Sequence, residues 1–416
     1  MRVAVVGAGI AGLAAARELA PHAEVHLFDA APRAGGHAFT VEVEEAGCRF
    51  PIDLGFIVYN ERNYPLFTRL LAELGVATAP SSMGFSVSDR ASGIEYSGEG
   101  LATLFAAPAN ALHPRFWSML AGLGRFWRLG TRALDTAEGR TLAEFCDEAG
   151  LSEPFRRLFL RPMAGAIWSM PRREVDAFPA GTLLRFFHQH GLLGYGGRPQ
   201  WRTVAGGSRR YVEALLARLD ARVHLGAPVE RVERTATGVE LRVAGERARF
   251  DEVVIACHSD TALALLADPS AAEREILGAI RYRSQEIVLH HDRTVLPRRE
   301  RAWASWNVAL DGADEAPIGV TYLMNRLQPL PTATPWCVTL NRSEAIDPDR
   351  VRHRASFAHP QFDAAAIAAQ QRWAEISGRR RTHYAGAYWR HGFHEDGAWS
   401  GARAAGPLLT PAAAAA

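Results

Sequence analysis

The stretch that most constrains this chain is residues 3–37, VAVVGAGIAGLAAARELAPHAEVHLFDAAPRAGGH. Its apolar opening, Val3-Ala4-Val5-Val6, reads as a buried strand of a parallel sheet. Gly7, Gly9 and Gly12 follow as G-x-G-x-x-G, then an Ala-rich helix over 13–20 and a second strand over 24–28 that stops at Asp29. Each position has a physical reason. Gly7 permits the tight strand-to-helix turn, Gly9 removes a side chain that would block a pyrophosphate, and Gly12 lets helix and strand pack closely. The helix start offers free N–H groups and a positive dipole end. Asp29 lies about twenty residues past the turn, where a carboxylate accepts from a ribose hydroxyl. The pattern predicts a bound dinucleotide held by Gly7, Ala8, Gly9, Ile10, Ala11, Gly12, Asp29 and Ala30.

At 416 residues the chain can bury a large core, and two interleaved domains are expected. A net charge of +2 disfavours an electrostatic nucleic-acid binder. Four scattered cysteines, Cys48, Cys146, Cys257 and Cys337, indicate neither a disulfide framework nor a zinc site. A cytoplasmic setting is expected, since the first strand follows the initiator methionine with no room for a signal peptide. No apolar run reaches membrane-spanning length. The chain contains no lysine at all, so a Schiff base or a lysine general base is excluded.

Further along, residues 41–60 read as an alternating hairpin ending in Asp53-Leu54-Gly55-Phe56, and 64–74 as an amphipathic helix closed by Gly75. Within 114–134, Phe116, Leu120, Leu123 and Trp127 share one helical face, with Arg115, Arg125, Arg128 and Arg132 on another. Such a helix either lies on an anionic bilayer or turns its apolar face to the core. Residues 141–193 are helical, apolar and aromatic, fitting a lid over an apolar substrate. A strand at 250–256 ends at Ala256, and 285–291, 302–308, 319–324 and 336–341 suit the strands of a second sheet. His290 and His291 sit beside Asp292 without a third ligand at metal spacing, so no metal site is expected.

The fingerprint together with Arg33-Ala34-Gly35-Gly36-His37, Asp53-Leu54-Gly55-Phe56 and the glycine-rich run YAGAYWRHGFHEDGAWSGARAA at 384–405 resembles the flavin-containing amine oxidase and carotenoid desaturase superfamily. The resemblance implies an α/β fold, with a Rossmann-like FAD-binding domain interleaved with an α+β substrate domain. The FAD domain is expected in three parts, 1–84, 201–280 and 344–410, and the substrate domain in two, 85–200 (a helical lid) and 281–343 (a sheet). Residues 411–416 are expected to be a disordered tail. The resemblance adds Arg33, Gly35, Gly36, His37, Leu54, Gly55, Phe56, Val229, Ala256, Tyr388, Asp396, Gly397 and Ala398 to the FAD contacts. Glu395-Asp396-Gly397 is expected just ahead of a helix whose N–H groups face the flavin pyrimidine. At Ala387 the chain departs from the usual Glu or Asp.

The segments DLGFIVYN, RPMAGAIW, WASWN, TYLMNRLQ and GAYWRHGFHEDG resemble a narrower group, bacterial FAD-dependent oxidoreductases associated with cyclopropane-type fatty-acid synthases and phospholipid methyltransferases. That likeness implies dehydrogenation of a methyl-branched, monounsaturated fatty acyl chain to a conjugated diene, a step toward furan fatty acids, by hydride transfer to flavin N5. Oxygen or a membrane quinone would reoxidise the flavin. It also implies a lipid methyltransferase partner and peripheral contact with the inner face of the membrane. Candidate bases are His37, Tyr59 and Glu395. A carotenoid-type desaturase, an amine oxidase and a non-catalytic flavoprotein partner stay open. Many superfamily amine oxidases hold a water on a lysine, which this chain cannot do.

Overall fold

Five parallel strands build the first sheet. β1 (Arg2–Val6) sits in its centre between β2 (Glu24–Asp29) and Glu252–Ile255, with Arg222–Leu225 and Thr382–Tyr384 at the edges. The structure is a computed structural model and describes residues 1–194, 196–311 and 318–409; the expected tail, 411–416, lies outside the described residues. Val3 to Val5 have no exposed surface, as a strand covered on both faces requires. One face is covered by α1 (Ile10–Leu19).

The C-terminal helix, His394–Leu409, lies across α1 with almost no spacing. A Cβ at Gly401 would stand 2.1 Å from the carbonyl oxygen of Ala11, and one at Gly397 would stand 2.6 Å from Ile10 Cγ2. The Ser400-Gly401-x-x-Ala404-Ala405 pattern is thus a seam of small residues between two helices. It clamps the start of α1, where the fingerprint turn ends.

A mixed seven-stranded sheet forms the second layer, in the order Val351–Pro360, Tyr282–His290, Cys337–Leu340, Val320–Leu323, Trp306–Ala309, Phe85–Asp89 and Ile94–Ser97. Two features differ from expectation. The strand Val351–Pro360, expected with the FAD part of the chain, pairs with Tyr282–His290 along its whole length. The strand expected over 302–308 begins only at Trp306, because Glu300–Ala302 is a 3-10 turn and the Asn307 amide bonds back to Ala304. Helices Pro114–Arg132, Leu142–Glu148, Arg161–Trp168 and Ala180–Gln189 pack beside this sheet around Phe126, Phe155 and Phe187.

Asp53 ties these parts together. It ends β4 (Cys48–Asp53), which pairs with β3 (Thr40–Glu45). Its buried carboxylate accepts from Thr40 Oγ1, from the backbone N–H and hydroxyl of Ser208, and from Gln328 Nε2. Burial pushes its pKa up to about 6 despite those donors.

Candidate active site

The fingerprint glycines act as their spacing predicts. Gly7 has φ +108°, and a Cβ there would meet the Ala256 carbonyl at 2.8 Å; one at Gly12 would stand 1.7 Å from the Gly7 carbonyl oxygen. Gly9 caps α1 in extended conformation with no side-chain acceptor, and the first turn carries no acid. The N–H groups at the helix start therefore face the cavity without a protein anion competing for them. Gly35 donates its N–H to the Ala8 carbonyl at 2.8 Å, laying the double glycine against the turn. The Asp29 carboxylate is fixed by the N–H groups of Ala8 at 2.6 Å and Ala31 at 2.8 Å, at the rim beside Ala30.

From this cradle one cavity of about 1180 Å³ continues between the two sheets. Gly7, Gly9, Ile10, Ala11, Asp29, Ala30, Gly35, Gly36, His37, Leu54, Gly55, Phe56, Val229, Ala256 and Tyr388 all line it, fifteen cofactor positions that the sequence and its resemblance had named. Gly55 earns its place by close approach, since a Cβ would stand 2.2 Å from the His37 carbonyl oxygen. Beyond the cradle the walls are aliphatic and aromatic, among them Phe85, Met119, Leu123, Phe159, Ile167 and Trp306. Asp29 in the cradle, with Glu99 and Arg198, both exposed, supplies the only charged side chains among the described lining residues.

Six histidines line this space: His37, His190, His258, His359, His391 and His394. Burial holds each imidazole below its ordinary value, His37 and His394 at about 3 and His190, His359 and His391 at about 4, with His258 lowered by the same cause. All six are neutral near pH 7. His394 stacks on Phe56 with ring centroids 3.8 Å apart, and its Nε2 meets the Tyr211 hydroxyl at 2.7 Å. His37 lies 5.5 Å from His359 and 6.1 Å from His258, ring to ring, and its Nε2 is buried with no partner.

Several expected site residues sit elsewhere. Tyr59 is 2 % exposed and packs edge-on to Phe67 and Tyr64, outside the cavity lining. The C-terminal helix starts at His394, so Glu395 and Asp396 occupy its first turn and do not precede it. The Glu395 carboxylate turns away to accept the N–H groups of Leu66 and Phe67, capping α2 (Pro65–Leu74). Asp396 accepts from the backbone of His391 and Phe393, and burial raises its pKa to about 6. Gly397 and Ala398 are absorbed in the seam with α1. Ala8 and Gly12 serve the turn from behind, and Arg33 bonds the Gly36 carbonyl and stacks on Phe39. None of these eight lines the cavity.

His258, Tyr282 and His359 reach the site through strand pairing between distant segments, which no local motif announces. His391, Phe393 and His394 lay within the recognised glycine-rich run, and their clustering was the available signal. His290 proves structural, its ring engaged by Thr339 Oγ1 and the Asp292 N–H.

Comparison with known proteins agrees with this geometry. Residues 10–292, well over half of the chain, match the family described as flavin containing amine oxidoreductase. AofH of Mycobacterium tuberculosis, named as a flavin-containing monoamine oxidase, is 27 % identical over 342 residues, covering 77 % of this chain and 70 % of that protein. The fold is shared with cyclohexylamine oxidase from Brevibacterium oxydans (TM-score 0.68, 17 % identity, 98 % of both chains). It is also shared with a fatty acid isomerase from P. acnes that produces CLA (TM-score 0.69, 15 % identity, 98 % of this chain and 99 % of that one). The residues present fit the cofactor such a family requires. A diphosphate has an open glycine cradle, a ribose has Asp29, and the buried His37 Nε2 and Tyr388 hydroxyl are left without protein partners on the cavity wall. The chain belongs to the flavin containing amine oxidoreductase family and is an FAD-dependent oxidoreductase.

Proposed function

We propose that this oxidoreductase dehydrogenates an apolar unsaturated acyl chain, a methyl-branched monounsaturated fatty acyl group carried on a phospholipid. One observation carries the reading: between the cradle and the exposed mouth, the described lining residues are mostly aliphatic and aromatic, with neutral imidazole, hydroxyl and thiol groups and no carboxylate among them. An ammonium substrate would lose its hydration there with no counter-ion to replace it. An acyl chain loses nothing polar and gains about 25 cal/mol per Å² of apolar surface removed from water. The CLA-producing activity named for the P. acnes protein supports the same substrate class on this fold.

FAD, when bound, supplies the two-electron acceptor. The substrate loses one allylic hydrogen with its electron pair and a neighbouring hydrogen as a proton, so one C–C single bond becomes double and a conjugated diene results. The chain's part is to orient the acyl group, exclude water and take the proton. Of the three candidate bases only His37 lines the cavity, with a neutral ring and an unpartnered Nε2. Burial lowers its basicity, and the strongly acidic proton of an alkene-stabilised cation requires only a weak base.

The test is anaerobic bleaching of the yellow holoenzyme. Phospholipids bearing methyl-branched monounsaturated chains should remove the visible flavin absorbance and yield a product two hydrogens lighter. Bleaching by simple amines alone would establish the amine oxidase reading that the relatives' names favour. A loaded flavin that neither substrate reduces would remove the acyl reading and favour a non-catalytic flavoprotein partner of a lipid methyltransferase.

A further inference from the structure

The helix Pro114–Arg132 turns its expected bilayer face inward. Phe116 is fully buried, and Leu120, Leu123 and Trp127 line the cavity. Its outward stripe, Trp117, Ala121, Gly124 and Arg128, follows the i, i+4, i+7, i+11 spacing of one helix side. Trp117 belongs to a second cluster. Leu101, Leu112 and Trp117, at 77 %, 88 % and 51 % exposure, are the three most exposed large hydrophobic side chains among the described residues. Trp117 links the segments that carry the other two: its indole donates to the carbonyl of Ala111, next to Leu112, at 2.8 Å, and its ring lies 5.9 Å from Phe105, just past the short helix Leu101–Leu104.

Charge points the same way. From 100 to 134 the sequence holds no acidic residue, and Arg115, Arg128 and Arg132 are exposed with no carboxylate partner among the described residues. The cavity also opens here. Gly124 is exposed and lines it, and Ser82 and Glu99, exposed as well, line it next to Leu101.

We infer that residues 101–132 form a docking face for an anionic bilayer, with Leu101, Leu112 and Trp117 seated at headgroup depth and Arg128 and Arg132 on lipid phosphates. The cavity mouth at Gly124 then faces the membrane, so an acyl chain passes from lipid to cofactor without crossing water. Scattered single hydrophobics on a surface need no partner, but these three stand on linked segments, are flanked by unpaired cations and lie beside an apolar cavity. The inference rests on the acyl-chain reading for its purpose, and on the surface alone for its existence.

Flotation of the holoenzyme with vesicles tests it. Vesicles of phosphatidylglycerol and phosphatidylcholine should carry the protein at low salt, and phosphatidylcholine vesicles should carry far less. Leu112→Asp/Trp117→Asp should abolish flotation while flavin content stays at wild-type level. Arg128→Gln/Arg132→Gln, which removes two cations, should weaken partition about thirtyfold at low salt and flatten its salt dependence. Wild type that fails to float with anionic vesicles, or a flavin-loaded Asp double variant that floats as wild type does, overturns the inference. Turnover of detergent-dispersed acyl lipid separates the two readings. Turnover without flotation removes the docking face alone, and flotation without turnover removes the acyl reading alone.

Discussion

At the scale of single residues, the site is set by places where a side chain has no room. Gly55 is such a case on the cavity wall, because its Cβ would meet a backbone carbonyl 2.2 Å away. The Phe56 N–H to His37 carbonyl bond, 2.8 Å long, holds the two strands of chain in that contact. Leu54, Gly55, Phe56 and His37 all face the cavity, so relief of the clash must distort its wall. Gly55→Ala should therefore lower the flavin-to-protein ratio of purified protein at least tenfold. Gly124→Ala is the matched control. A Cβ there meets nothing within 4 Å, and alanine in place of helical glycine adds up to about 1 kcal/mol of stability. Equal flavin content in the two variants would show that close approach at Gly55 is not what shapes the wall.

At the scale of elements, Glu395 shows how a carboxylate in a flavin-motif run can be structural. Tyr64 and Pro65 open α2 with no side-chain cap, leaving the Leu66 and Phe67 N–H groups to Glu395, far along the chain. Glu395→Ala should cost about 1–2 kcal/mol in denaturant unfolding of the holoenzyme, in the range of a lost helix cap. The pH profile of turnover should keep its shape, whereas a base in the reaction would lose a limb of that profile. The sequence announced β1, α1 and β2 together with their glycines because every constraint there is local. It announced the C-terminal run as important without saying why, since Gly397 and Gly401 acquire meaning only against Ile10 and Ala11. It likewise showed two faces on Pro114–Arg132 but not which one turned inward. That choice depends on Phe155 and the cavity, which come from other parts of the chain.

At the scale of the whole molecule, the cavity couples stability to pH through its neutral histidines. The unfolded chain protonates these rings near pH 6.5, and the folded chain resists protonation down to about 3 to 4 at His37, His190, His359, His391 and His394. Between those limits the unfolded state binds more protons, so stability falls as pH falls, by up to about 1.4 kcal/mol per pH unit for each ring. Asp53 and Asp396 act in the opposite sense. Their folded values near 6 lie above the unfolded carboxylate, so below pH 6 the folded state takes up protons first and is favoured. Two carboxyls offset only part of the histidine effect, and the holoenzyme's Tm should drop steadily from pH 7 to pH 5, with flavin released in step. His391→Phe removes one ring and should make the slope of Tm against pH shallower. A Tm profile that is flat from pH 7 to pH 5 would mean that these imidazoles are not held neutral by burial.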